Sequence, residues 1–244
     1  MEIVRVDNLG KTYASGKVAL QGVTLSFAPG SMNAILGPSG AGKSTLLRCI
    51  NGLETPTQGS VHVDGLQVTP KTLRQARRKV GMVFQHFNLV PRLSALTNVL
   101  TGSLARVNPL LSLAYAFPKP EVDLALETLN KVGLAEYVWQ RADRLSGGQQ
   151  QRVAIARSLV QRPVVLLADE PVASLDPRTS HEVMSLMVRA AKEQGICLIV
   201  NLHQVDLALE YCERIVGLKA GRVVLDAAPS QLVTSEVDAL YQLA

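Results

Sequence analysis

Apolar positions run along this chain with two different periods. Ala34-Ile35-Leu36, Val164-Val165-Leu166-Leu167-Ala168 and Ile196-Cys197-Leu198-Ile199-Val200 are short unbroken apolar runs. Their length and β-branched content predict strands buried on both faces, as in a parallel sheet. Met1–Asp7 alternates like a strand, and Gly59–Gly65 and Gly221–Leu225 read as further short strands between turns. The middle of the chain changes character. From about Asn88 to Leu159 the spacing is helical, with Leu126, Leu129 and Leu134 among the expected buried positions. Val153, Ala156 and Val160 recur on one helical face, as do Ile155 and Leu159. Val107–Pro118 is apolar with two prolines and is expected to form a short helix or loop at a surface or interface. Strand–helix alternation then resumes. The pattern predicts an α/β lobe with a helical lobe inserted between Gln85 and the strand that ends at Asp169.

Composition narrows this picture. The chain has 244 residues, enough for a substantial core, and is 47% hydrophobic but only 4% aromatic, which fits an α/β protein built on Val, Leu and Ala. No apolar stretch approaches the roughly 20 residues of a transmembrane helix. Work at a membrane would therefore need a separate spanning subunit. Cys49, Cys197 and Cys212 lack metal-binding spacing, and the start of the chain lacks the apolar run of a signal peptide, so reduced thiols are expected, with Cys49 and Cys197 in the core. The net charge is +5, with a cluster at Lys71, Arg74, Arg77, Arg78 and Lys79. No aromatics interleave with it as nucleic-acid stacking requires, and a solvated helix face is the expected reading.

The chemistry concentrates at three strand ends. Gly37-Pro38-Ser39-Gly40-Ala41-Gly42-Lys43-Ser44 is a complete G-x-x-x-x-G-K-S phosphate loop between a strand and a helix that opens at Ser44-Thr45. Its glycines let backbone N–H groups turn inward on an anion, and the helix N-terminus adds positive charge. Lys43 suits the β- and γ-phosphates, and the Ser44 hydroxyl suits Mg²⁺. Asp169-Glu170 ends a buried strand, where ligands bind in open α/β sheets. Asp169 fits a Mg²⁺ partner, and Glu170 a base that orients and deprotonates water. A pair of helix-capping acids, with the helix beginning at Pro171, is the competing reading. His203 follows the third strand and has two readings, a donor to a γ-phosphate oxygen or a satisfied structural histidine. His62, His86 and His181 read as structural or solvated. Ser146-Gly147-Gly148 opens a helix and is either an ordinary N-cap or a second anion site.

With Leu145-Ser146-Gly147-Gly148-Gln149 upstream of Asp169-Glu170, and with the phosphate loop, the chain resembles the ATP-binding subunits of ATP-binding-cassette transporters from about Tyr13 to Val224. The resemblance implies a P-loop NTPase core with a mainly parallel sheet, an N-terminal antiparallel β part and an inserted helical subdomain. The single domain would divide into a nucleotide-binding core at 1–86 and 160–244 and a helical subdomain at 87–159. It also implies roles: Tyr13 stacks on adenine, Gln85 senses Mg²⁺ and the transmembrane partner, Ser174-Leu175-Asp176 crosses between copies, and His203 is the switch histidine. Asp176-Pro177 alone reads as a turn.

ATP, Mg²⁺ and a head-to-tail homodimer follow from the resemblance, with the Ser146–Gln149 loop of one copy closing on the γ-phosphate held by Lys43 of the other. So do transmembrane permease subunits, an indirect periplasmic or extracellular substrate-binding protein, and a place on the cytoplasmic face of a bacterial membrane. Asn88–Gly102, Ala168–Pro177 and Asn201–Asp206 look like the phosphonate-importer ATPases. Gln149-Gln150-Gln151-Arg152 and the Phe87–Leu89 region are shared with polar amino-acid importers, the alternative. A carrier of phosphite or another small phosphorus oxyanion is also compatible. A soluble cassette acting on DNA or ribosomes is the rival class, but this chain has neither a long coiled coil nor tandem cassettes, so no nucleic-acid partner is expected.

Overall fold

The computed structural model describes residues 2–108 and 116–242. The segment expected at Val107–Pro118 therefore falls largely, at 109–115, outside the described residues.

Two sheets organise the chain. The smaller is antiparallel, with β1 (Val4–Thr12) between β2 (Val18–Phe27) and β4 (Gln58–Val63), and β5 (Leu66–Gln67) at its edge. The larger has β3 (Met32–Leu36), β6 (Val80–Val83), β7 (Val165–Asp169), β8 (Cys197–Asn201) and β9 (Arg214–Lys219) parallel, and β10 (Arg222–Ala227) antiparallel at one edge. Its order is β10-β9-β3-β8-β7-β6. Every residue of β3, β7 and β8 is buried, which is why these strands read as unbroken apolar runs.

Alternate residues of the parallel strands feed two cores. Ile35, Leu167 and Ile199 pack with Leu46, Leu47 and Ile50 of α1 (Lys43–Ile50) and with Val6, Phe27 and Val61 of the antiparallel sheet. Ala34, Leu166 and Leu198 face the opposite way, toward helices. Those helices include α3 (Ala95–Leu100), α4 (Lys119–Lys131) and α5 (Gly147–Val160), which pack on one another, and α6 (Pro177–Gln194). Leu129 and Leu134 are buried as expected, whereas Leu126 is half-buried against the same cluster.

Local chemistry explains two departures from the sequence reading and adds detail to the basic cluster, which is largely solvated as expected. Residues 84–94 are not helical: Phe87 and Asn88 are left-handed at φ 57 and 50, and Pro91 follows. The Arg157 guanidinium fixes that loop by donating to the carbonyls of Asn88 at 2.6 Å and Phe87 at 3.1 Å. The basic cluster lies on and beside α2 (Leu73–Lys79), and part of it is used internally. Arg77 donates to the carbonyls of Asn51 and Gly52, and Lys79 pairs with Asp64. Asp176-Pro177 is the start of the 18-residue α6, with Asp176 as N-cap and proline in the first turn, rather than a free turn.

Candidate functional site

The phosphate loop joins β3 to α1 across the C-terminal edge of the parallel sheet. Two of its glycines have no substitute. A Cβ on Gly37 would overlap the Leu218 carbonyl, and one on Gly42, at φ 106, would overlap the Ala19 carbonyl. No side chain caps α1, and no acidic residue sits in its first turn, so its leading N–H groups remain available to an anion. Lys43 is buried and folds back over the loop. Its Nζ donates to the carbonyls of Gly37 at 2.8 Å and Pro38 at 3.3 Å. Burial lowers the pKa of this ammonium, opposed by the charges of Glu170 and Asp169.

Asp169 ends β7, and the following residues form turns until α6. The helix-capping reading of Asp169-Glu170 therefore does not hold. The Ser44 hydroxyl donates to Asp169 Oδ1 at 2.8 Å, and Asn201 Nδ2 donates to the same oxygen at 2.8 Å. Glu170 is left-handed at φ 51, and its Oε1 lies 2.6 Å from His203 Nε2. Gln85 follows β6, whose register places Val83 beside Ala168, so Gln85 stands at the neighbouring strand end. A hydroxyl and a carboxylate side by side fit Mg²⁺, which takes oxygen ligands and commonly one or two protein groups beside phosphates and water. Among the described residues no group of three or more His, Cys, Asp or Glu side chains forms a metal cluster.

A cavity of about 350 Å³ opens over the loop. Ser39, Gly40, Ala41, Gly42, Lys43, Ser44, Thr45 and Glu170 line it together with Tyr13, Lys17 and Ala19. Tyr13 is held at its far end, with its hydroxyl 3.1 Å from Thr45 Oγ1 and Lys11 Nζ 5.1 Å from the ring centroid.

The second anion loop does not join this cavity. Ser146 is the exposed N-cap of α5 in a closed capping box: its Oγ accepts from Gln149 N at 3.3 Å, and Gln149 Oε1 accepts from Ser146 N at 2.9 Å. Asp176 accepts from Thr179 N at 3.0 Å, and the hydrogen bonds from Thr179 hold its carboxyl below its usual pKa. The two helix starts adjoin, since a Cβ on Gly148 would meet Thr179 Cγ2 at 2.5 Å. Ser146, Gly147, Gly148, Gln149 and Asp176 therefore belong to one outer patch, separate from the residues around Lys43.

The family model for the ABC transporter matches residues 20–173, more than half the chain. This chain belongs to the ABC transporter family. Relatives of this ABC chain include the phosphonates import ATP-binding protein PhnC of Thiobacillus denitrificans, 52% identical over 99% of this chain and 93% of the relative. PhnC 2 of Trichodesmium erythraeum is 53% identical over 95% of this chain and 89% of its own. Among solved structures, cbiO1 from Clostridium perfringens, part of the ABC transporter complex cbiONQ, superposes with a TM-score of 0.83 at 33% identity, covering 94% of this chain and 90% of its own. The dimeric bacterial ABC transporter cassette MJ0796 gives a TM-score of 0.81 at 37% identity, covering 93% of this chain and 98% of its own. The fold is accordingly the P-loop ABC ATPase fold.

Three residues of this ABC site carry no sequence signal. Lys17 and Ala19 line the cavity from β2 and the turn before it, an approach set by the packing of one sheet over the other. Asn201 reaches Asp169 only because β7 and β8 are neighbours.

Proposed function

We propose that this chain is the ATP-hydrolysing subunit that energises import of phosphonate, or a related small phosphorus oxyanion, through a separate membrane permease. The observation that carries the cargo is the 52% identity to a phosphonates import ATP-binding protein along 99% of the chain. The geometry supports the chemistry. Loop N–H groups and the α1 N-terminus receive the phosphates, and Lys43 turns its ammonium from the Gly37 and Pro38 carbonyls to the β/γ oxygens. Tyr13 stacks on adenine. Ser44 and Asp169 are the residues that would hold Mg²⁺, with Gln85 beside them. When bound, that ion would supply positive charge to offset that of the phosphate oxygens. Glu170 takes the proton of the attacking water, and His203, held 2.6 Å from it, stands ready to donate to a γ-phosphate oxygen.

The outer patch calls for a second copy. Ser146–Gln149 is a helix N-terminus facing away from its own cavity, and the solved MJ0796 cassette is dimeric. In a head-to-tail homodimer each Ser146 loop closes on the partner's nucleotide, with Asp176 at the crossing. No helix among the described residues is long and apolar enough to cross a membrane. By likeness to the phosphonates import ATP-binding proteins, a permease supplies the spans, the chain works at the cytoplasmic face, and the substrate-binding protein acts from the other side. Reconstitution with the permease and binding protein in ATP-loaded vesicles tests this reading. Uptake of a radiolabelled phosphonate is the expected result. Uptake of a polar amino acid instead would assign the chain to the alternative importers, and ATPase activity stimulated by nucleic acid without uptake would refute transport.

A further inference from the structure

Asn201 interrupts a pattern. Cys197-Leu198-Ile199-Val200 is apolar and buried, and the strand then ends on an amide that is also fully buried. β8 pairs with β7 so that Asn201 stands directly beside Asp169. A buried amide is tolerated when both halves find partners. Here only one half does. Nδ2 donates to Asp169 Oδ1 at 2.8 Å, on the same oxygen that accepts from Ser44. The carbonyl oxygen Oδ1 of Asn201 is buried with no hydrogen-bond partner. Turning the amide over is no remedy, because two acceptors would then face each other at that separation.

We propose that Asn201 is a positioning residue of the metal site. Its N–H pins one oxygen of Asp169 next to Ser44, which fixes how the carboxylate is presented. The inference rests on the assignment of Asp169 to Mg²⁺ above. Groups that orient a metal ligand typically contribute about 10–100-fold to metal affinity.

Asn201→Leu keeps the approximate volume and removes both polar atoms. The probe is Mn²⁺, titrated onto the full chain with a non-hydrolysable ATP analogue and counted by electron paramagnetic resonance. The expected result is a loss of Mn²⁺ affinity of about 10-fold or more. Analogue affinity without divalent ion should be unchanged. Unchanged Mn²⁺ affinity overturns the proposal, as does an equal loss of analogue affinity without divalent ion, which would assign the amide to the fold. Asp169→Asn, measured in parallel, separates two failures. If it also leaves Mn²⁺ affinity unchanged, the reading of Asp169 itself is wrong. If it weakens Mn²⁺ while Asn201→Leu does not, only the present inference falls. Asn201→Ser serves if the leucine variant does not fold: its hydroxyl is too short to reach Asp169, so the same loss is expected, and parental affinity overturns the proposal.

Discussion

Replacing Glu170 by glutamine removes one proton acceptor and little else. In the structure its Oε1 lies 2.6 Å from His203 Nε2, and its backbone is held at φ 51. Glutamine keeps an oxygen for the histidine and has the same backbone preferences, so stability should stay within about 0.5 kcal/mol of the parent. The amide cannot take a proton from water. A general base contributes roughly 10²–10⁴-fold, or about 3–5 kcal/mol of barrier, so kcat should fall by at least about 100-fold with ATP affinity intact. Single-turnover phosphate release measures the first quantity. Size-exclusion chromatography with ATP and Mg²⁺ should show the accumulated dimer. Glu170→Gly supplies the control. The left-handed conformation costs a non-glycine residue roughly 1–2 kcal/mol, more than the roughly 0.5–1 kcal/mol that glycine adds through chain entropy. The glycine variant should therefore be as inactive as the glutamine variant and at least as stable as the parent in urea. Turnover of Glu170→Gln within tenfold of the parent would refute the assignment, and a destabilised glycine variant would refute the strain argument.

Lys43→Ala should weaken ATP binding as well as hydrolysis, read by titration with a fluorescent nucleotide; unchanged affinity would count against the loop. Ser146→Arg should bind ATP almost normally as a monomer yet neither dimerise on ATP nor hydrolyse it, and full activity would refute a shared site. Mixed with Lys43→Ala it creates one composite site with both loops intact, so partial activity should return although each parent is nearly inactive. Burial pushes the thiols of Cys49 and Cys197 up to about 11 and that of Cys212 up to about 12. All three should resist a maleimide at neutral pH and react only on unfolding, and rapid labelling of the native protein would contradict their burial.

The phosphate loop was readable because each of its constraints is local: glycines for a tight turn, then a lysine, then a helix start. The short apolar strands were readable for a similar reason, since burial on both faces leaves only one kind of side chain. Their order in the sheet was not, because β3 lies between β8 and β9 through contacts that span most of the chain. Asp176-Pro177 misled because the same pair suits a turn and a helix start. What decides is the following helix, which buries Val183, Met184, Met187 and Ala191 on one face. Residues 88–94 sat inside a helical pattern, but the loop is set by Arg157 and by buried Asn98, whose amide bonds Val90, Leu93 and Ser94. Asn201 entered the sequence reading only through the resemblance of Asn201–Asp206 to the phosphonate-importer ATPases, and it is the pairing of β7 with β8 that gives it Asp169 as a neighbour.

The parallel sheet is also a wall shared by two compartments. Leu167 fills the compartment beneath α1, which carries Lys43, while Leu166 fills the one beneath α5, which begins beside Ser146. Two consecutive letters of one strand thus belong to two machines, one gripping phosphate and the other turned outward. Close-packed interiors transmit strain, so a change of volume at Leu166 is felt through the shared backbone at Leu167. Repacking the outward compartment therefore calls for an adjustment beneath the loop as well.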